Sequence, residues 1–245
     1  MGNACVEGIA GPSRPKGAIT LKYFPIAGRA EPIRLALMLG NFSFCDQRIT
    51  GDEWEPKHKK QTPFGQLPVL LVGEKRIAQT KAILRFVGKM AKHDGRLLYP
   101  KDPLLAAKVD EVLDAFDDLF ILLAPTFRIK DKEEKEQVRL ELFQPGGKAA
   151  NFMGIFEGIL SESTNGFVVP EAGLTVADLM YFCQLNFIRS GFFEGLKTDL
   201  FKDYPKIMRH KEMIAQIPAI RAYYQDLEKS NPGKVPAYEV FLPGK

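Results

Sequence analysis

Pro63-Phe64-Gly65-Gln66-Leu67-Pro68-Val69-Leu70-Leu71-Val72-Gly73-Glu74-Lys75-Arg76-Ile77-Ala78-Gln79-Thr80 is the stretch on which the fold turns. A Pro-flanked loop gives way to the apolar run Val69 to Val72, Gly73-Glu74 supplies a turn, and Arg76 to Ala78 returns. That pattern predicts a β-hairpin. Thr80 is placed to N-cap a helix running through Met90. Pro68 opens a strand, where an X-Pro bond can be cis and turn the preceding residue's N–H and C=O outward for an extended peptide. A plain trans turn is the other reading, and the residues alone leave both open.

Working outward toward the N-terminus, Ile19 to Phe24 alternates apolar and polar residues before Pro25, as a strand entering a loop does. Ala30 to Leu39 carries apolar residues at helical spacing with Gly40 as a stop. Phe44 to Ile49 reads as a second strand, and Asp52 to Lys60 as a short polar helix whose large apolar anchor is Trp54. The order β-α-β-α-β-β-α predicts a small mixed sheet covered by helices over residues 18–94. Residues 1–17, with four Gly and two Pro, predict an unfolded tail. In the other direction, residues 94–102 with Gly95 and Pro100 read as a linker, and strand signals stop at Pro103. Helical patterns over 104–123, 132–159, 176–187, 204–216 and 217–229 predict an all-helical second domain, 103–245.

With 245 residues, 45% hydrophobic and 26% charged, the chain has ordinary globular composition, which excludes disorder and collagen. No apolar run approaches the roughly 18 residues that a membrane span needs. Residues 1–100 carry 16 Lys/Arg against 8 Asp/Glu and the remainder 18 against 22, so a basic part suited to a small anion precedes an acidic one. The basic residues are scattered through apolar periodic segments without a zinc or RNA-binding pattern, which argues against nucleic acid. Cys5, Cys45 and Cys183 form no metal spacing, consistent with a reducing cytoplasm. The N-terminus is neither a secretory nor a transit pattern. Gly2 and Cys5 fit an acylation signal that would hold the protein at the cytoplasmic membrane face, although Val6 departs from the preferred Ser or Thr. A dispensable tail is the competing reading.

Four features of the first domain converge. Tyr23 stands at the C-terminal end of a strand, where α/β sheets place ligands, and its phenol can donate a hydrogen bond to a thiolate. The loop before Pro68 offers an outward backbone edge. Ala78-Gln79-Thr80 enters a helix whose N–H groups, dipole and Thr80 hydroxyl suit a carboxylate. Trp54, with the Lys57 to Lys60 cluster, offers an indole N–H and an ammonium to a second carboxylate. A small peptide thiol with two carboxylates has that shape.

The set Tyr23-Phe24, Gly28-Arg29-Ala30-Glu31, Trp54, Pro63 to Pro68 and Gln79-Thr80 resembles the glutathione transferases, most closely the sigma class, to which haematopoietic prostaglandin D synthase and the squid lens crystallins also belong. Gly173-Leu174-Thr175-Val176-Ala177-Asp178 looks like that family's N-capping box. The resemblance, over roughly Ile19 to Glu228, implies a thioredoxin-like N-terminal domain, an all-α C-terminal domain and glutathione as co-substrate. By position, Tyr23 stabilises the thiolate and Arg29 supports it. Trp54 and Lys59, or Lys57 as the fallback, meet the glycine carboxylate. Gln66 and Leu67 hold the cysteinyl part, and Gln79 with Thr80, in place of the usual Gln-Ser, the γ-glutamyl carboxylate.

The same resemblance implies a homodimer in which Asp118 reaches the partner subunit's glutathione. It also raises Asp114, Asp117 and Asp118 as holders of a divalent ion, with no metal as the main expectation. Phe24, Ile26, Leu122 and Phe127 are expected to line the apolar electrophile pocket. The function implied is conjugation of glutathione to electrophiles, as in detoxification. The alternatives are a glutathione-dependent prostaglandin-type isomerase and a catalytically silent, crystallin-like scaffold.

Overall fold

Ile19–Tyr23 (β2) and Phe44–Arg48 (β3) pair in parallel across the helix Glu31–Leu39 (α1), and Val69–Val72 (β4) and Lys75–Ala78 (β5) continue the sheet antiparallel to β2. The structure, a computed structural model, describes residues 4–6, 17–231 and 238–245, of which residues 4–6 are described as backbone. Ala4–Val6 forms a further strand (β1) antiparallel to β3, so the five-stranded order is β1-β3-β2-β4-β5. Part of the segment expected to be an unfolded tail thus takes up the β3 edge. Gly2 lies outside the described residues.

Alternation decides which face is covered. Ile19, Leu21 and Tyr23 of β2 are buried while Thr20 and Lys22 are half-exposed. Thr80–Gly88 (α3) packs on β4 and β5 and beside α1, burying Ile83, Leu84 and Val87. Leu21, Leu70, Ile33 and Leu84 are closed to solvent, and about 1.5–3 kcal/mol for each such side chain makes this layer the core of the first unit. The polar segment after β3 is three short turns in succession: Gly51–Glu53 (α2), Trp54–His58 and Lys59–Gln61. Thr50 and Glu53 cap its start reciprocally.

The chain forms two compact units that divide at Ala106–Ala107, within the helix Pro103–Leu123 (α4). The expected linker, 94–102, begins inside a small hairpin: Lys92–His93 (β6), just before it, pairs with Arg96–Leu97 (β7), turned by Asp94-Gly95 at positive φ. The second unit is helical: α4, Lys132–Phe143 (α5), Lys148–Glu162 (α6), Val176–Phe187 (α7), Pro205–Ala215 (α8) and Pro218–Ser230 (α9). The single helix expected over 132–159 is two. Pro145 and Gly146, at φ +83°, break it, and at Gly147 a Cβ would stand 2.4 Å from two carbonyl oxygens.

Every residue of α7 is buried, and it packs against α8. Phe116 stacks on Phe156 at 4.7 Å, and both meet Tyr181 edge-on at 5.5 and 5.2 Å. Thr175 and Asp178 form the expected capping box at the start of α7. Arg189, buried after α7, donates to the carbonyls of Thr198, Val240 and Lys245 and so ties down the C-terminal turn Tyr238–Phe241.

Candidate active site

A groove of about 250 Å³ opens on the first unit, lined by Phe24, Arg29, Trp54, Gln66, Leu67, Pro68, Ala78, Gln79 and Thr80. Four separate chain segments meet there: the residues after β2, Trp54, the loop before β4 and the junction of β5 with α3, the end of β2, the start of β4 and the end of β5 lying together at one end of the sheet. Arg29, Trp54, Gln66, Leu67, Gln79 and Thr80, expected to hold a peptide thiol, line it, and so does Phe24, expected in the electrophile pocket.

Tyr23 lies behind the groove at 6% exposure, with its ring edge-on to Phe24, which in turn meets Trp54. Its hydroxyl oxygen accepts the Arg29 backbone N–H at 3.0 Å. Among the described residues that hydroxyl donates to none, so its proton is left for a ligand. Burial raises the phenol's pKa above 10, and the Arg29 N–H and the charges of Arg34 and Arg29 draw it back. At neutral pH Tyr23 is therefore a neutral donor rather than a phenolate. Close approach of the loop depends on Gly28, at φ +48°, where a Cβ would stand 2.6 Å from the Tyr23 oxygen.

The Leu67-Pro68 bond is cis. Among the described residues the Leu67 N–H and C=O engage no partner, an open backbone edge on the groove. Gln79 is the N-cap of α3, at φ +71° and ψ 118°, without a side-chain cap. This corrects the capping role expected of Thr80. Thr80 is the first helical residue, and its hydroxyl is available beside the positive end of the nine-residue α3.

The lysines stand at the margin. Lys59 pairs with Glu55 at 2.7 Å, its stem about 3.9 Å from where a Gly65 Cβ would lie; Lys57 pairs with Glu53 at 3.5 Å and is 64% exposed. Neither lines the groove, although Lys59 runs beside the loop that carries Gln66. Ile26 is half-buried in the β2–α1 loop. In the second unit Leu122 is half-buried, and Phe127 is 52% exposed, with the buried Arg139 guanidinium at 5.4 Å from its ring and from that of Phe193. Asp114 and Asp118 are exposed on α4 and Asp117 is half-buried. Among the described residues no group of three or more His, Cys, Asp or Glu is placed to hold a metal.

Sequence reasoning passed over the charges under the groove. Arg34, 2% exposed, binds Asp46 and Glu31, and Arg48 joins Asp46 at 2.9 Å. The signal was present: Glu31 and Arg34 are an i,i+3 pair in a helix otherwise apolar, and Asp46 holds an inward position of β3 beside Leu21.

Two family models match the chain: the glutathione S-transferase N-terminal domain over residues 19–89 and the glutathione S-transferase C-terminal domain over residues 117–226. Glutathione S-transferase 1 of Ascaris suum is 30% identical over 86% of this chain and 97% of its own length. Among solved structures, prostaglandin synthase D of Nilaparvata lugens is 26% identical with a TM-score of 0.74, covering 85% of this chain and 97% of that one. Monomeric Na-GST-3 of Necator americanus is 32% identical with a TM-score of 0.72, at 85% and 97% coverage. The thioredoxin-like sheet followed by a helical unit is the two-domain architecture of the family that the two models describe. The chain belongs to the glutathione S-transferase family.

Proposed function

We propose that the protein is a tyrosine-type, sigma-like glutathione transferase, with glutathione as co-substrate in the groove of the first unit. The observation that carries this reading is the Tyr23 hydroxyl, whose oxygen is taken by the Arg29 N–H and whose proton is not. A free thiol with a pKa near 8.5 is a few per cent ionised at pH 7, and lowering it by two units takes about 2.7 kcal/mol. One hydrogen bond to a charged sulfur contributes about 1.5–3 kcal/mol, so the phenol with help from Arg29 suffices. The Leu67 edge suits the cysteinyl backbone. Gln79, the Thr80 hydroxyl and the start of α3 suit the γ-glutamyl carboxylate, and Trp54 with Lys59 the glycine carboxylate. The thiol proton leaves to solvent, the sulfur lone pair forms the S–C bond, and the leaving group departs with its electron pair.

A second reading, a prostaglandin-type isomerase, is favoured by the likeness to the Nilaparvata lugens protein and uses the same glutathione residues. Tyr23→Phe tests the shared step. Conjugation of a generic aryl halide should fall at least tenfold while calorimetry still finds glutathione bound. An unchanged rate puts the activating role elsewhere. Turnover of a prostaglandin endoperoxide but not of the aryl halide by the wild type would favour the isomerase, and binding without any turnover the silent scaffold.

Pairing of two copies through α4, with Asp118 completing the partner's site, belongs to the same proposal. The exposed Ile121 and Ile155 on α4 and α6 support it. No helix among the described residues is long and apolar enough to cross a membrane. Attachment through acylated Gly2 and Cys5 rests on the residue pattern alone, and intact-mass analysis of protein from its native cell tests it. A role in detoxification follows if the electrophiles are foreign compounds.

A further inference from the structure

Two consecutive carbonyls of the loop between β2 and α1 are held from below by one buried side chain. Arg34 Nη1 donates to Ile26 O at 2.9 Å and Ala27 O at 3.3 Å, and also to Glu31 Oε2 at 2.8 Å. Its Nε reaches both carboxylate oxygens of Asp46 at 3.2 and 3.1 Å. Arg48 completes the set on Asp46 from β3. Two cations and two carboxylates balance, so the cluster needs no ligand of its own, and its fixed point is the loop. That loop ends in Gly28 and Arg29, the residue whose N–H meets the Tyr23 oxygen. The Arg34 guanidinium carbon also lies 5.8 Å from the Tyr23 ring centroid.

We propose that Arg34 is a positioning residue for the sulfur chemistry: by holding the Ile26 and Ala27 carbonyls it keeps the Arg29 N–H on the Tyr23 oxygen, so that the phenol's own proton is directed to the thiolate. The inference rests on the reading of Tyr23 given above. Its physical content is twofold. An oxygen that accepts one hydrogen bond donates the next more strongly, because the two polarise each other. A cation beside the ring also favours negative charge near the phenol. Facing Tyr23, Arg34 and Arg29 act in that direction, and Glu31 and burial act against it. Asp46 binds Arg34, and Arg48, which stands opposite Tyr23 in the β2–β3 pairing, is engaged by Asp46. A side chain that only braced the fold would affect stability and leave the sulfur's acidity alone.

Arg34→Lys keeps the charge but, with all its donors on one nitrogen, cannot reach the loop carbonyls and Asp46 at once, as the Arg34 Nη1 and Nε do. The ultraviolet absorbance of bound thiolate, titrated with pH, and the pH profile of kcat are measured for the wild type, Arg34→Lys and Tyr23→Phe, each with glutathione. Arg34→Lys should move the thiol titration upward and lower kcat at neutral pH by roughly tenfold, the equivalent of one pH unit, with the KM for glutathione little changed. Asp46→Asn, which loosens the grip on Arg34 without removing the cation, should shift the titration the same way by less, and serves if Arg34→Lys does not fold. A shift in Tyr23→Phe with none in Arg34→Lys or, where that does not fold, in Asp46→Asn overturns the role of Arg34. No shift in Tyr23→Phe overturns the reading beneath it instead.

Discussion

Gly28 and Gln79 both sit at positive φ beside the groove, with opposite consequences for substitution. At Gly28 the left-handed conformation and the Tyr23 oxygen 2.6 Å from any Cβ act together, so Gly28→Ala must displace the loop. It should lower conjugation at least as far as Tyr23→Phe does and lower the melting temperature too, which thermal unfolding beside the rate assay checks. Gln79 is a non-glycine residue at φ +71°, and such strain costs roughly 1–3 kcal/mol. The greater chain entropy of an unfolded glycine returns about 0.5–1 kcal/mol of that. Gln79→Gly should therefore stabilise the fold by about 1 kcal/mol in urea unfolding while glutathione binding weakens; a destabilised variant would mean that the Gln79 side chain matters more to the fold than its backbone strain. At this scale the groove was largely legible. Tyr23, Trp54 and Thr80 carry donors at places where elements end, which residue type and spacing reveal, whereas Gln66 came only with the family resemblance. Arg34 and Asp46 were not seen, because their role depends on a parallel pairing of β2 with β3 that no local pattern announces.

Among the elements, the start of α7 gathers several polar bonds in a closed setting. Asp178, 0% exposed, accepts from the Val168 and Thr175 N–H groups at 2.8 Å each and from the Thr175 hydroxyl at 2.9 Å, and lies 3.1 Å from His210 Nε2. Thr175→Ala removes a cap and should cost about 1 kcal/mol. Asp178→Ala strands several buried donors and should cost about 3–5 kcal/mol, enough to leave little folded protein, as circular dichroism and soluble yield will report. Thr175-Val176-Ala177-Asp178 announces this box in sequence because both partners lie within one turn. The break between α5 and α6 was overlooked because the periodic apolar positions on either side masked Pro145-Gly146-Gly147. The β1 pairing was hidden by a Gly- and Pro-rich segment that supplies only three residues to it.

For the whole molecule, the buried phenols set an alkaline limit. Burial raises the pKa of Tyr23, and that of Tyr181 well above 10. Unfolded phenols release protons from about pH 10 while the folded ones retain them, so stability is intact below that pH and falls as pH rises through it, by up to about 1.4 kcal/mol per pH unit for each group. Urea midpoints followed upward in pH should decline more gently in Tyr181→Phe than in the wild type. Assembly is tested by Asp118→Ala, which should weaken glutathione binding severalfold with no change in mass by light scattering. A monomeric wild type with full affinity would remove Asp118 from the site.

The strand order β1-β3-β2-β4-β5 leaves two lateral borders to the sheet. On one side β5 shows solvent the exposed Lys75 and Arg76, charges that discourage a foreign strand from docking. On the other side the partner of β3 is β1, three residues near the N-terminus, and β3 itself carries the half-buried Cys45. A shortened protein that begins at residue 18 would present a bare run of backbone donors and acceptors from Phe44 to Asp46. Its self-association into β-rich aggregates, read by thioflavin fluorescence, should exceed that of the full chain, which makes the first few residues a guard of colloidal stability.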